Sequence, residues 1–264
     1  MSNLSVRVVY NITKEYPEMY KVVVFKQPRF YTRKETVKRN RELVPENYSP
    51  TISSLKRTKS LVRDIVLCNN FEYFVTFTFN PKKCDSFNFS ECYHKLSTWI
   101  HNQKENSRLN GRELKYIFIP ERHKSGRWHF HGLISGYIGS LRPSGLFSGS
   151  DRPIYNLTSF RSGFTTAVMV DSKEGVSNYV TKYITKDFIK TFNQRRFFAS
   201  KNLTRPSKVV NSKVLEFTLP LFRRQVLDSY DSVEYIIDKT LDFDTMASKG
   251  NVAQCRNNDY SLIH

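Results

Sequence analysis

The sequence contains no run of apolar residues near the length of about 20 that crosses a bilayer. Its N-terminal segment has neither a long apolar core nor a small-residue cleavage site, so no signal peptide is expected. Internal repeats and low-complexity tracts are also missing. We therefore expect a cytoplasmic protein without a membrane anchor. The hydrophobic share of 39% is enough for a packed core, which excludes wholesale disorder.

Cysteine is scarce, and its four copies lack the paired CxxC spacing of structural zinc sites. Cys84, Cys92 and His94 lie near one another in the sequence, but their spacing does not favour zinc. Free, reduced thiols are therefore expected. The phosphate-binding pattern GxxxxGK[ST] does not occur either, so no nucleotide-driven helicase is predicted in this sequence.

Acidic residues are few compared with basic ones. The chain has 42 Lys and Arg against 24 Asp and Glu, which gives a formal net charge of +18. Basic residues are especially dense between 195 and 225. Such a charge attracts polyanions through phosphate contacts and counterion release. Because no amphipathic membrane-binding stretch is evident, nucleic acid is the favoured partner.

Hydrophobic periodicity predicts a mixed fold. Strands are predicted at 4–12, 19–27, 71–80, 114–121, 128–138, 164–169 and 208–218. Helices are predicted at 52–68, 89–106, 173–187 and 222–238, the second of them capped by Ser90. The Gly/Ser/Pro-rich segment 139–153 is predicted to be a loop. The central order of elements predicts an α+β fold, with one central antiparallel sheet and helices packed on one face.

We expect three parts along the chain. Residues 1–60 are predicted to form basic N-terminal strands and a linker, residues 61–206 a central domain, and residues 207–264 a C-terminal extension. The central part contains the segments with recognisable chemistry.

The first such segment is Glu121-Arg-His-Lys-Ser-Gly-Arg-Trp-His-Phe-His131. On a strand, His129 and His131 share a face while Phe130 points the other way. Glu121 ends the preceding strand, so it can lie beside the histidines as a third ligand; His123 is the alternative. Two imidazoles and a carboxylate leave positions open for substrate and suit Mg²⁺ or Mn²⁺. Taken alone, an HxH pair on a strand is more often a polar, solvent-facing stripe than a pair of metal ligands.

The second segment is Tyr179-Val-Thr-Lys-Tyr-Ile-Thr-Lys186. On a helix, Tyr179 and Tyr183 share one face, and Lys182 and Lys186 share another. A phenol with a pKa of about 10 needs help to become a nucleophile. The nearby lysines would offset negative charge that develops on a phosphate. Taken alone, tyrosines at this spacing are more typical of partly buried packing.

Together, the strand FVTFTF, the segment Glu121…HFHG and the helix YVTKYITK resemble the three ordered motifs of HUH replication initiators. The tyrosine segment is most similar to the two-tyrosine class, which includes the gene A protein of icosahedral single-stranded DNA phages. The segments PERHKSGRWHFHGLI and RRFFASKNLTRP resemble replication-associated proteins related to filamentous-phage gene II protein. The resemblance covers roughly residues 71–206. It implies the HUH nuclease fold, similar to ferredoxin and RRM folds.

The resemblance implies a role for each matching residue. His129, His131 and Glu121 would bind Mg²⁺ or Mn²⁺. Tyr179 and Tyr183 would be the nucleophiles, assisted by Lys182 and Lys186. Because each tyrosine heads a YxxK pattern, the order of attack stays open. Such an enzyme nicks single-stranded origin DNA in a bacterial host, retains a 5′-phosphotyrosine and leaves a 3′-OH for the host replication polymerase and helicase.

Four basic residues follow the tyrosine helix, and we expect them to grip phosphates beside the nick: Arg195, Arg196, Lys201 and Arg205. Two other functions are compatible with the sequence. One is a non-catalytic nucleic-acid-binding module, which would not need metal ligands and nucleophiles together. The other is a transposase or relaxase with the same chemistry, which only the neighbouring genes distinguish from an initiator.

Overall fold

The computed structural model describes residues 6–32, 52–184, 195–211, 224–228 and 232–238. The chain divides into two compact units. One comprises residues 1–40 and 206–264, and the other comprises residues 41–205. Each unit is built on its own antiparallel sheet. Within the described residues, none of the helices combines the length and apolar character of a membrane span.

The first unit is a five-stranded sheet. Its strands are β1 (Val6–Glu15), β2 (Met19–Thr32), β10 (Ser207–Asn211), β11 (Arg224–Asp228) and β12 (Ser232–Asp238), in the order β10-β1-β2-β12-β11. β1 and β2 form a hairpin around Tyr16. The Tyr16 amide donates to the Met19 carbonyl at 2.9 Å, and the Tyr16 side chain is buried. A backbone hydrogen bond thus closes the hairpin.

The predicted helix at 222–238 is wrong, because this stretch contributes the two strands β11 and β12. β12 pairs with β2 along its whole length, from Ser232 opposite Phe25 to Asp238 opposite Met19. The segment is rich in Val, Ile and Tyr, which favour strands, and Asp-Ser-Tyr-Asp interrupts it. A distant strand, β2, supplies the pairing that no local pattern reveals.

The second unit is a seven-stranded sheet with helices. Its strands are β3 (Tyr73–Phe79), β4 (Lys115–Arg122), β5 (Trp128–Ser135), β6 (Leu141–Phe147), β7 (Pro153–Leu157), β8 (Gly163–Met169) and β9 (Phe198–Ala199), in the order β6-β7-β8-β3-β5-β4-β9. Its helices are α1 (Ile52–Cys68), α2 (Phe89–Leu109) and α3 (Lys173–Val180). The predicted α+β fold with a central antiparallel sheet is therefore confirmed.

One detail of that prediction differs, since the helices cover both faces of the sheet. On one face, Trp99 of α2 packs edge-on against Phe77 with ring centroids 5.0 Å apart. On the other, Tyr179 of α3 meets Phe74 at 5.0 Å. Phe74 and Phe77 lie on opposite faces because they are an odd number of residues apart on β3. α1 packs against α3, so α2 is alone on its face among the described helices.

The segment 139–153, predicted to be a loop, contains β6 and the first residue of β7. β6 is the edge strand of the sheet and carries Pro143, while Pro153 begins β7. Proline has no amide hydrogen, which is tolerated at an edge or at the first residue of a strand. The prolines of this segment therefore led to the prediction of a loop where β6 and β7 form a short hairpin.

Helix ends also differ from the sequence-based prediction. The N-cap of α2 is Asn88, whose side chain accepts from the Glu91 amide at 3.2 Å, and Ser90 lies inside the helix. α3 is capped by Ser172, whose hydroxyl accepts from Gly175. α3 ends at Val180, short of the predicted 187, and continues as a 3₁₀ turn over Thr181–Tyr183. The Thr181 hydroxyl donates to the Asn178 carbonyl at 2.9 Å, a local bond that competes with the helical ladder.

Gly132 is the glycine of the HFHG segment and lies on β5 against β4. A Cβ atom built there would come within 1.9 Å of the Ile117 carbonyl oxygen and 2.7 Å of the Phe118 ring. Both groups belong to the neighbouring strand, so a side chain cannot be accommodated unless the two strands separate. Gly132 therefore permits close pairing of the two strands that carry Glu121 and the histidines.

We expect Gly132→Ala to destabilise the second unit, because overpacking in a buried sheet costs about 1–3 kcal/mol. Urea denaturation should show a lower midpoint with an unchanged slope. Gly149→Ala is the matched control, since a Cβ at Gly149 meets nothing within 4 Å. Equal midpoints for the two variants would contradict this account of the β4–β5 contact.

Candidate active site

The pairing of β4 with β5 gathers the predicted ligands on one face of the sheet. Glu121 lies directly opposite His129, and Ile119 lies opposite His131. The imidazole rings of His129 and His131 are nearly parallel, 7° apart, with centroids separated by 6.2 Å. Phe130, between them, is fully buried on the other face. The strand alternation predicted from the sequence is thus present in the structure.

Two threonines of β3 hold the histidine rings from the side away from Glu121. The Thr76 hydroxyl lies 3.0 Å from His131 Nδ1, and the Thr78 hydroxyl lies 3.2 Å from His129 Nδ1. The β3–β5 register produces both contacts, because each threonine is directly opposite its histidine. Because Nδ1 of each ring contacts a threonine, Nε2 is the nitrogen that each ring has for other partners.

His131 Nε2 donates to Glu121 Oε2 at 2.7 Å. Burial, followed by the charge of His129, lowers the pKa of His131 well below its ordinary value. The imidazole is therefore neutral at pH 7. Burial also lowers the pKa of His129, assisted by His123 and opposed by Glu121. Both rings therefore have the neutral form that binds cations.

Both tyrosines lie beside this cluster. The Tyr183 ring stacks on the His131 ring with centroids 3.9 Å apart and planes at 10°. The Tyr183 hydroxyl donates to the Tyr179 hydroxyl at 3.0 Å. Phe74 supports the pair from below, edge-on to Tyr179 and stacked at 6.1 Å with Tyr183. The two phenols and the histidine–carboxylate pair thus form one continuous cluster.

The two tyrosines differ in their surroundings. Burial raises the pKa of Tyr183, and the hydrogen bond it donates to Tyr179 and the charge of Glu121 raise it further. Tyr179 is 44% exposed, and the Lys182 ammonium lies 5.3 Å from the centre of its ring. Tyr183 is therefore held in its protonated form, while Tyr179 is open to solvent beside a cation. Lys186 lies outside the described residues.

The donor set has the chemistry that a divalent cation requires. Two imidazole nitrogens and a carboxylate suit such an ion, and a threonine hydroxyl can accept the Nδ1 proton that a ring must keep when Nε2 binds metal. Glu121 and His131 are in contact, whereas the centroid of the His129 ring lies 6.2 Å from that of the His131 ring. Among the described residues no three His, Cys, Asp or Glu side chains are already closed around an ion-sized gap. The residue types therefore fit a divalent cation.

His123, the alternative third ligand, lies in the turn between β4 and β5. Its Nδ1 atom accepts from the Ser125 amide at 3.2 Å, and its ring is 5.4 Å from that of His129. It is exposed on the turn, whereas Glu121 already contacts His131. The geometry favours Glu121 over His123 as the third ligand beside His129 and His131.

The four basic residues expected to bind DNA line a separate cavity of about 690 Å³. Arg195, Lys201 and Arg205 are the exposed cations of this lining. Arg196 instead reaches α1, where it donates to the Ser54 carbonyl and to the Thr58 hydroxyl, each at 2.7 Å. The cavity shares no lining residue with the histidine–tyrosine cluster. Arg196 thus connects its segment to α1. The other three side chains are exposed and accessible to phosphate.

Sequence reasoning missed Phe74, Thr76 and Thr78. A signal was present, because FVTFTF alternates, and its two threonines interrupt one face at the same spacing as the histidines in HFH. Two polar residues on one face of an otherwise apolar strand indicate a face that is not simply packed. The partner of that face could not be read from one strand alone.

Comparison with known proteins locates the family within this region. Residues 72–188 match the family model of replication-associated proteins of the ORF2 and gene II type. The resemblance to replication-associated proteins is confirmed. The match covers somewhat less than half of the chain, yet it spans β3 to the tyrosines and so includes the whole cluster. This replication-associated segment supports a role in the initiation of DNA replication. Searches among curated proteins and among solved structures found no significant match.

We expect Thr76→Val to destabilise the metal-free protein, because it leaves a buried ring nitrogen of His131 without a partner, at a cost of about 1–3 kcal/mol. Thr76→Ser keeps the hydroxyl and is the matched control. Urea denaturation in EDTA measures the loss, and ¹⁵N NMR of the imidazoles reports the tautomer of His131. If valine and serine variants share the wild-type stability and tautomer, the threonine does not fix the ring.

Proposed function

We propose that this protein is a metal-dependent HUH endonuclease that initiates rolling-circle replication by nicking and rejoining single-stranded DNA. The observation that carries the proposal is the contact between nucleophile and ligand cluster: the Tyr183 ring lies on His131, and its hydroxyl meets that of Tyr179. A binding module has no use for a phenol pair against a carboxylate–imidazole pair. The family match to replication-associated proteins supports the biological setting.

His129, His131 and Glu121 would hold Mg²⁺ or Mn²⁺. When bound, the cation would act as a Lewis acid on an oxygen of the scissile phosphate. The protein itself keeps both imidazole rings neutral and holds their Nδ1 atoms against Thr76 and Thr78. It also stacks the Tyr183 phenol on the His131 ring.

We assign the first attack to Tyr179. The Tyr179 phenol gives its proton to solvent, and its oxygen forms a bond to phosphorus while the bond from phosphorus to the 3′ oxygen breaks. The 3′ oxygen takes a proton from solvent, which leaves a 5′-phosphotyrosine and a 3′-OH. Tyr183 donates to the Tyr179 oxygen, so it stabilises the phenolate as that oxygen loses its proton. Lys182 offsets charge near the same ring, and Lys186 is proposed to act similarly.

Tyr183 is the proposed nucleophile for the second transfer. Once Tyr179 is esterified, its oxygen is part of the phosphodiester and Tyr183 no longer donates to a free hydroxyl. The Tyr183 oxygen then loses its proton to solvent and attacks the phosphate of the next strand to be cut, and the bond from that phosphorus to its 3′ oxygen breaks. The strand is closed when the free 3′-OH attacks a phosphotyrosine and displaces the phenol. Two tyrosines therefore allow one strand to be opened and another to be joined without hydrolysis.

The remaining parts of the proposal follow from the charge and the family. Arg195, Lys201 and Arg205 would hold the phosphates of the DNA next to the cut, whereas Arg196 chiefly anchors α1. The 3′-OH would serve a host polymerase with its helicase in the bacterial cytoplasm. A transposase or relaxase would use the same residues, and the genes beside this one would distinguish them.

With Mg²⁺ or Mn²⁺, we expect the protein to cleave one of a set of single-stranded oligonucleotides tiled across the DNA that flanks its gene. The product should migrate as a covalent protein–DNA adduct on a denaturing gel. EDTA or His129→Ala should remove both cleavage and adduct, because the Lewis acid is lost. His101→Ala, an exposed histidine on α2, should change neither. Adduct formation that is unaffected by EDTA would rule out the metal.

We expect Tyr179→Phe to lower the rate of adduct formation by more than about 1000-fold, because the nucleophilic oxygen is gone. Tyr183→Phe should slow it by about 10- to 100-fold, since a hydrogen bond to a charged group is lost, and should block the second transfer. Single-turnover kinetics on a denaturing gel measure both steps. The reverse order of effects would exchange the two roles. An adduct formed by the double variant would reject both tyrosines.

A further inference from the structure

Phe164 is a large, exposed aromatic side chain at the start of a sheet strand. It is the second residue of β8 and pairs with Thr78 of β3, and 70% of it is exposed. Within the described residues its ring makes no aromatic contact. Isolated exposed apolar residues are common on proteins and carry no meaning alone. Phe164 differs from such residues in its position in the sheet register, which relates it to the candidate active site.

The sheet register aligns Phe164 with the candidate active site. Phe164 lies opposite Thr78, Thr78 lies opposite His129, and His129 lies opposite Glu121. Residues directly opposite one another in an antiparallel sheet point to the same face. One row across four strands therefore runs from the bare phenyl ring to the ligand pair. Strands are about 4.8 Å apart, so Phe164 is roughly 10 Å from His129.

At its start, β8 lies unusually close to the backbone of β3. A Cβ on Gly163 would lie 2.0 Å from the Thr78 carbonyl oxygen, so only glycine permits β8 to lie this close to β3. The adjacent residue, Phe164, therefore lies on a paired strand and not on a loop. A ring on a rigid strand is suited to stacking, because little side-chain freedom is lost on binding.

Three cations lie in the chain segments next to this end of the row. Lys83 donates to the Arg161 carbonyl at 2.8 Å, which ties the β3–α2 connection to the turn before Phe164. Lys82, Lys83 and Arg161 are all exposed there. An aromatic ring beside several cations is the combination that binds single-stranded nucleic acid, with bases stacked on the ring and phosphates held by the charges.

We propose that Phe164 is a stacking platform for an unpaired nucleobase of the DNA strand, at a nucleotide flanking the phosphate that is cut. The location of the cut rests on the proposed function, whereas the binding of single-stranded DNA does not. Lys82, Lys83 and Arg161 hold the phosphates on either side of the stacked nucleotide. Duplex DNA does not bind there, because its bases are already stacked.

Binding is measured by fluorescence anisotropy in EDTA with a labelled mixed-sequence single strand of about 16 nucleotides. Phe164→Ala should weaken binding by about 5- to 150-fold, the range expected for the loss of one stacked base. Phe164→Trp should restore it. The salt dependence should keep its slope in both variants, because no charge is removed, while the Lys82→Ala/Lys83→Ala pair should flatten it. Phe147→Ala, an equally exposed phenylalanine on β6, is the matched control.

The outcomes separate this inference from the proposed nuclease. If Phe164→Ala binds like the wild type while the wild type still forms the adduct, the platform is overturned and the nuclease stands. If Phe164→Ala weakens binding and the wild type never cleaves, the platform stands without the nuclease. Equal weakening for single-stranded and duplex DNA, or equal weakening by Phe147→Ala, would also overturn base stacking.

Discussion

The geometry of the candidate site depends on the register of β3 between β5 and β8. Thr76 meets His131 and Thr78 meets His129 only because each pair is directly opposite in the ladder. A slip by one residue would turn both hydroxyls to the other face and bring Val75, Phe77 or Phe79 against the imidazoles. Since those apolar side chains form the core beneath α2, the hydrophobic effect that stabilises the fold also fixes the register. The positions of the polar groups follow from it.

The second constraint is the early end of α3. The helix stops at Val180, and the 3₁₀ turn that follows brings Tyr183 onto His131 while Tyr179 stays on the last helical turn. Val180 and Ile184 are buried on either side of this turn and fasten it to the core. The hydroxyls of the two phenols remain 3.0 Å apart. Their surroundings are nevertheless unequal, because Tyr183 is half-buried against His131 and Tyr179 is open to solvent.

Positive charge serves two purposes in this molecule. Arg196 directs its guanidinium to α1, where three hydrogen bonds join the segment before β9 to the N-terminal half of that helix. Arg195, Lys201 and Arg205 remain at the surface around a cavity, as do Lys82, Lys83 and Arg161 near Phe164. The high net charge therefore explains an attraction to nucleic acid but does not show which cations make the contact. Only the contacts separate the anchoring arginine from those available to phosphate.

The sequence by itself determined the residue types of the candidate site and most elements of the central domain. Period-2 alternation in HFH placed two histidines on one face, and the 3.6-residue period placed α1 and α2. These patterns are local, so a single chain segment contains all the information they need. Tertiary structure alone decided the pairing of β12 with β2, the division of helices between two faces, the helix end at Val180 and the contacts of Thr76, Thr78 and Phe164. Each of these depends on which distant strand or helix packs against a segment, and side-chain packing between remote parts of the chain leaves no periodic trace in either part.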